Sequence, residues 1–155
     1  MRTVPIALCA VILCGCSLDD FRRKDLRSDS GSEFAPELGV DLETMTRTSS
    51  GLYWKTTREG NGRPAEAGDT VSMAYSGWLT NGTLFDRAPA ESPYSFVLGY
   101  REVIGGWDEG VAGMRPGERR RLVIPPSLGY GETGSGPIPP NATLVFDVER
   151  VASSE

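Results

Sequence analysis

Residues 70–78 read TVSMAYSGW, and the alternation within them decides the kind of fold to expect. Val71, Met73 and Tyr75 fall on one side of an extended chain and Ser72, Ala74 and Ser76 on the other, because successive side chains of a strand point to opposite faces. One side is therefore a core side. Asn81-Gly82 follows closely, a dipeptide suited to a tight reversal because both residues tolerate positive φ. The chain is expected to turn there into a partner strand over residues 83–86.

Further along, Tyr94, Phe96 and Leu98 alternate, and so do Arg120, Leu122 and Ile124 after the turn-rich Met114-Arg115-Pro116-Gly117. In residues 143–151, Leu144, Phe146 and Val148 face one way and Val145, Asp147 and Glu149 the other, which predicts a half-buried antiparallel strand ending the domain. Residues 102–114 (EVIGGWDEGVAGM) break the pattern. Ile104, Trp107, Val111 and Met114 recur at spacings of three and four, as on one face of a short amphipathic helix. Each glycine in that stretch costs about 1 kcal/mol relative to alanine in a helix. The fold class expected is α+β: an antiparallel sheet of about five strands wrapped around one short helix.

The bulk numbers are consistent with one domain plus extra segments: 155 residues, 39% hydrophobic, 24% charged. A formal charge of −5 argues against a nucleic-acid surface, which needs clustered Lys and Arg. The chain has no histidine, which removes Ser-His-Asp and Cys-His nucleophile systems and every His-ligated metal site. Glycine (19) and proline (11) are abundant without a period, as in turn-rich β folds. Cys9, Cys14 and Cys16 all lie near the N-terminus, so no disulfide framework staples the body.

Residues 1–15 read as a secretory signal: basic Arg2, an apolar run over residues 4–13 and small residues at the cut. The run is too short for a membrane span, which needs ~20 apolar residues. Leu13-Cys14-Gly15-Cys16 resembles the bacterial lipobox, which implies that Cys16 is lipidated and becomes the mature N-terminus. The alternative is a plain signal peptide with Cys16 left as a free thiol, a reactive group in an exported protein. Several acyl chains, at ~0.8 kcal/mol per buried CH₂, would hold such a protein at a bilayer. Ser17 after the Cys points to a cell-envelope location on the outer membrane, facing the periplasm. Residues 16–48 are then the lipidated Cys and a polar linker, with a short ordered piece over 34–45, and 153–155 a tail.

Within residues 49–152 six segments follow in order: Tyr75-Ser76-Gly77, Gly82-Thr83-Leu84-Phe85-Asp86, Glu102-Val103-Ile104-Gly105-Gly106-Trp107, Gly110-Val111, Gly129-Tyr130-Gly131, and residues 138–148, IPPNATLVFDV. In order and spacing they resemble the FKBP-type peptidyl-prolyl cis-trans isomerases, over about two-thirds of the chain. The resemblance implies a pocket floored by Trp107 and walled by Tyr75, Phe85, Val103, Ile104, Tyr130 and Phe146, with Tyr94 where the family often has Phe. Taken singly, aromatics at these spacings are usually core residues.

The reaction implied suits a chain without histidine. Rotation about an X-Pro bond faces ~18–20 kcal/mol because amide resonance is lost in the twisted state. A twisted amide is less polar than a planar one, so a dry apolar pocket favours the transition state. The resemblance implies that the Ile104 N–H and the Tyr130 hydroxyl hold substrate carbonyls, with Asp86 at the pocket edge. Asp86 read alone could equally be a carboxylate that orders its loop. No cofactor or metal is required.

Two departures bear on the site. After Asp86 the loop reads Arg87-Ala88-Pro89-Ala90-Glu91-Ser92-Pro93, one residue shorter than common members and lacking the Arg that pairs with the Asp, which leaves Arg87 as the candidate partner. The loop after Tyr130 is short, glycine-rich and without the His some members place over the pocket. The expected partners are proline-containing polypeptides and macrolide inhibitors, and the expected state is a monomer. A non-catalytic, chaperone-like module using the same groove, and a purely structural envelope lipoprotein, are the competing readings.

Overall fold

Strand alternation is realised along a ten-residue interior strand of the sheet, Thr70–Leu79. Val71 and Met73 are fully buried and Tyr75 continues the same face, half-buried. The computed structural model describes residues 34–152. Seven strands and one α-helix run through them in the order β1 (Thr46–Arg47), β2 (Tyr53–Arg58), β3 (Thr70–Leu79), β4 (Leu84–Ala88), β5 (Tyr94–Val97), α1 (Gly105–Val111), β6 (Arg119–Ile124) and β7 (Leu144–Arg150). The sheet order is β1-β2-β6-β7-β3-β4, with β5 also paired to β3, and every pairing is antiparallel. The α+β fold expected from the alternating runs is present, with β1 and β2 added at one edge.

Helix α1 crosses the face that carries Leu122, Ile124, Leu144, Phe146 and Val148, and its own Trp107 and Val111 complete that core. Two of its glycines are there for closeness. A Cβ on Gly106 would lie 2.5 Å from Ile124 Cγ2, and one on Gly110 would lie 2.8 Å from Leu122 Cδ1. The propensity cost of glycine is thus offset by a helix seated directly on β6.

The opposite face of the sheet is not the wet surface that alternation predicts for Val145. Val145 and Val123 are 0% and 3% exposed, because Leu38 packs on them, with Phe34, Ala35, Val40, Leu42, Met45, Tyr53 and Trp78 around. Burial of one such aliphatic side chain contributes about 1.5–3 kcal/mol. Residues 34–45 form this pad through two single 3₁₀ turns, Pro36–Leu38 and Leu42–Thr44. The Ala35 N–H donates to the Thr80 carbonyl at 2.6 Å, and Arg121 Nη1 donates to the Leu38 carbonyl. The stretch 16–48, read as linker from its polar composition, therefore divides. Residues 34–48 belong to the folded body, while Cys16, the rest of that stretch, the signal reading over 1–15 and the tail 153–155 lie outside the described residues.

Charge organises both faces of the start of β6. Glu118, 3% exposed, accepts from Arg120 Nε at 2.6 Å and from the Arg115 N–H at 2.8 Å. Arg120 in turn donates to the Gly110 and Ala112 carbonyls at the C-terminal end of α1 and lies over the Trp54 ring, 4.6 Å from its centroid. On the outer face Glu149 accepts from Arg119 at 2.6 Å and from Arg58. Burial alone would raise the Glu149 carboxyl, but the hydrogen bonds and charges of Arg119 and Arg58 outweigh it and leave it below its ordinary value of 4.5. A carboxyl depressed in the folded state contributes stability that is complete above its unfolded value and lost as pH falls through the folded one. The urea midpoint is therefore expected to fall as pH drops below about 4.5, and Glu149→Gln is expected to shallow that fall. An acid limb unchanged by the substitution would show that the pair carries no pH-dependent stability.

Candidate functional site

Six separate pieces of chain converge beside α1. Strand β3 supplies Tyr75, the β3–β4 hairpin leads to Phe85 and Asp86, β5 begins with Tyr94, the segment into α1 brings Val103 and Ile104, and β7 presents Phe146. Tyr130 comes from the loop after the 3₁₀ turn Pro126–Leu128. Together with Trp107 they line one cleft of about 470 Å³, within the usual size of a small-ligand site. All nine side chains singled out from the sequence for catalysis or substrate binding are in it. A second hollow of about 450 Å³ lies over the outer face of the sheet, but its charged residues are spent on one another, Arg121 on Asp147 at 2.7 Å and Arg119 on Glu149. The cleft beside α1 is the one with unspent chemistry.

Trp107 is the hub of the cleft. It is 4% exposed and meets Tyr75 edge-on at 4.8 Å and Phe146 edge-on at 5.5 Å, while Phe85 meets Phe146 at 5.5 Å. Edge-to-face pairs of this kind contribute about 0.5–1.5 kcal/mol beyond burial and fix the ring planes. Gly77 makes the arrangement possible, because a Cβ there would fall 2.6 Å from the Phe146 ring and 2.8 Å from the Phe85 ring. The rim is more polar: Tyr94 and Tyr130 are 45% and 38% exposed. Burial first, and the Asp86 carboxylate next, push the Tyr75 and Tyr130 hydroxyls above the ordinary phenol range, so both remain protonated donors. The Ile104 N–H has no acceptor among the described residues, while the Ile104 carbonyl accepts from the N–H groups of Trp107 and Asp108 to start α1.

Residues 61–151, more than half of the chain, match the family described as FKBP-type peptidyl-prolyl cis-trans isomerase. The chain belongs to that family. It is 51% identical over 108 residues to FK506-binding protein 4 of Mycosarcoma maydis, covering 70% of this chain and 29% of that protein. It is 46% identical over 101 residues to an FK506-binding protein of Neisseria meningitidis serogroup B, covering 64% of this chain and 93% of that one. The solved structure of FkpA from Escherichia coli superposes with a TM-score of 0.65 at 35% identity, covering 86% of this chain and 56% of that chain. The chain thus spans under a third of the first relative and nearly all of the second.

Against the FKBP-type pattern the structure answers the question left open at Asp86. Arg87 does not pair with Asp86 through its side chain, and no ion pair to Asp86 occurs among the described residues. Consecutive residues of a strand face opposite ways, so the Arg87 guanidinium leaves on the side away from the Asp86 carboxylate. The carboxylate is held instead by the Tyr75 hydroxyl, which donates to Oδ2 at 2.6 Å, and by the Arg87 backbone N–H, which donates to Oδ1 at 2.8 Å. Two cleft residues were not anticipated from the sequence. Arg101 and Glu102 also line it, brought there by a loop that two carboxylates hold. Asp108 accepts from the Gly99 and Arg101 N–H groups at 2.9 and 3.1 Å, and Glu102 accepts from the Val97 N–H at 2.9 Å. Glu102 opens the segment Glu102-Val103-Ile104, which was a signal for it; Arg101 carried none.

Proposed function

We propose that the chain accelerates cis–trans rotation about X-Pro bonds in exported or envelope polypeptides. The observation that carries this reading is the single aromatic cleft around Trp107, with hydrogen-bond donors at its mouth and apolar walls elsewhere. A prolyl ring seated against Trp107 would leave water, and its amide, less polar when twisted, would be stabilised relative to the planar ground state. The Ile104 N–H would hold a carbonyl beside the proline, and the Tyr130 hydroxyl another. Asp86, fixed by Tyr75, would place negative charge beside the carbonyl carbon as conjugation is lost. No proton moves. Relatives named FK506-binding proteins support the expectation that a macrolide occupies the same cleft and competes with peptide.

The test is a proline-containing tetrapeptide assay on residues 34–155, with and without a macrolide. Faster cis-to-trans conversion that the macrolide suppresses is the expected result, and no acceleration would defeat the proposal. Ile104→Pro sharpens it, since Ile104 already has φ −60°, a value proline adopts, so the substitution chiefly deletes the N–H. Against Ile104→Ala as control for the side chain, kcat/KM is expected to fall about tenfold, the worth of one hydrogen bond. Equal rates for the two variants would remove Ile104 from the mechanism.

The anchor is part of the same proposal. Lipidation of Cys16 in Leu13-Cys14-Gly15-Cys16 would hold the domain on an envelope membrane, facing the periplasm. Cys16→Ser is expected to move the protein from the membrane fraction to the soluble one. Unchanged fractionation would count against a lipid anchor.

A further inference from the structure

Three charged residues line the cleft, and they are not alike. Asp86 is engaged by the Tyr75 hydroxyl and the Arg87 N–H, and Glu102 by the Val97 N–H. The Arg101 guanidinium has neither a hydrogen-bond nor an ion-pair partner among the described residues. Arg47 and Arg87 also lack such partners among the described residues, but neither lines the cleft, and Arg58, Arg63, Arg119, Arg120 and Arg121 all sit in ion pairs.

The backbone at Arg101 is also unusual. Its φ is 58°, in the left-handed region, where a Cβ is strained and Gly or Asn is the ordinary occupant. Asp108 fixes that conformation by accepting from the N–H groups on both sides of Tyr100, those of Gly99 and Arg101. A residue with a long, exposed cationic side chain thus lines the cleft at a backbone position that disfavours it. Strain maintained by dedicated hydrogen bonds, beneath a donor group with no protein acceptor, points to a ligand acceptor.

We propose that Arg101 is a specificity-determining residue that reads a carboxylate on the substrate, so that the cleft favours proline segments with Asp or Glu next to the proline. The inference rests on the isomerase reading of the same cleft. The guanidinium presents five N–H donors in a planar fork that matches a carboxylate. The repulsion from Asp86 and Glu102 works the other way. It is blunted by the donors already turned to those two groups, whereas Arg101 can touch an incoming acid directly, and the contact wins at short range.

The experiment measures kcat/KM for tetrapeptides carrying Glu, Gln or Lys immediately before the proline, and in a second series immediately after it. The readout is the Glu/Gln ratio for one enzyme, which does not depend on the fraction folded. In wild type the ratio is expected to exceed one in at least one series by about two- to fivefold, the range of a partly exposed ion pair, and to shrink at ~0.5 M salt. In Arg101→Gln it is expected to fall to about one, while Arg101→Lys keeps part of it. Arg101→Gly, whose backbone suits the left-handed conformation, gives the same loss in a variant relieved of strain. A Glu/Gln ratio in Arg101→Gln and Arg101→Gly equal to that of wild type in both series would overturn the proposal, with turnover and the isomerase reading intact. Absence of turnover by wild type on every peptide would instead overturn the isomerase reading, and this inference with it.

Discussion

Glu118→Ala is expected to lower the stability of the folded body by about 3–5 kcal/mol, read from urea unfolding at neutral pH. Glu118 is one of the most deeply placed charges in the protein, and it carries the Arg120 guanidinium, the Arg115 N–H and the Thr56 hydroxyl at once. Alanine would leave Arg120, whose side chain is 11% exposed, without its counter-charge. An uncompensated buried charge accounts for most of the expected loss. Glu118→Gln keeps acceptor and shape and should cost less. Replacing Glu118 and Arg120 together by Met should return much of the stability, because the desolvation of both ions is removed with them. A loss below about 1 kcal/mol for Glu118→Ala would mean that water reaches the pair and the burial is nominal.

Trp107→Ala is expected to cost about 3–5 kcal/mol as well, through the cavity left among Tyr75, Phe96 and Phe146. Its effect on catalysis should go further than the loss of fold. With conditions chosen so that near-UV dichroism shows the variant folded, kcat/KM for a prolyl peptide is expected to drop about a hundredfold, as the edge-on contacts that set the ring planes disappear. Trp107→Phe, which keeps an aromatic surface there, should lose less of both. Stability lost with kcat/KM intact would make Trp107 a core residue only.

How much of this was legible in the sequence differs from element to element. Period-two runs located β3, β5, β6 and β7 and the helix spacing located α1, because each has one face against a shared core. Val145 was misjudged for the same reason: alternation reports two faces and says nothing about what covers the second. The cover, residues 34–45, is illegible by period, since 3₁₀ turns and irregular chain bury scattered residues such as Leu38 without a repeat. The helical glycines look like defects until β6 is seen beneath them.

At the site, eight of the nine anticipated residues were legible through ordered motifs, each motif being short but the set being specific, and Tyr94 came from its position between them. The partner of Asp86 was not. A chain-local guess reaches for the next residue, Arg87, whereas pairing of β3 with β4 brings Tyr75 across from the neighbouring strand. Arg101 was missed because its placement depends on a left-handed turn and on Asp108, seven residues further on. Both omissions are of one kind: contacts made by a fold rather than by a motif.

The pad formed by residues 34–45 lies on the face of the sheet opposite α1 and the aromatic cleft. The polypeptide therefore enters the folded body from behind, and a load applied at residue 34 is taken first by Ala35 on Thr80, by Leu38 on Val123 and Val145, and by Arg121. A pull on residue 34 is therefore expected to strip the pad from the back of the sheet before it disturbs the rings of the cleft.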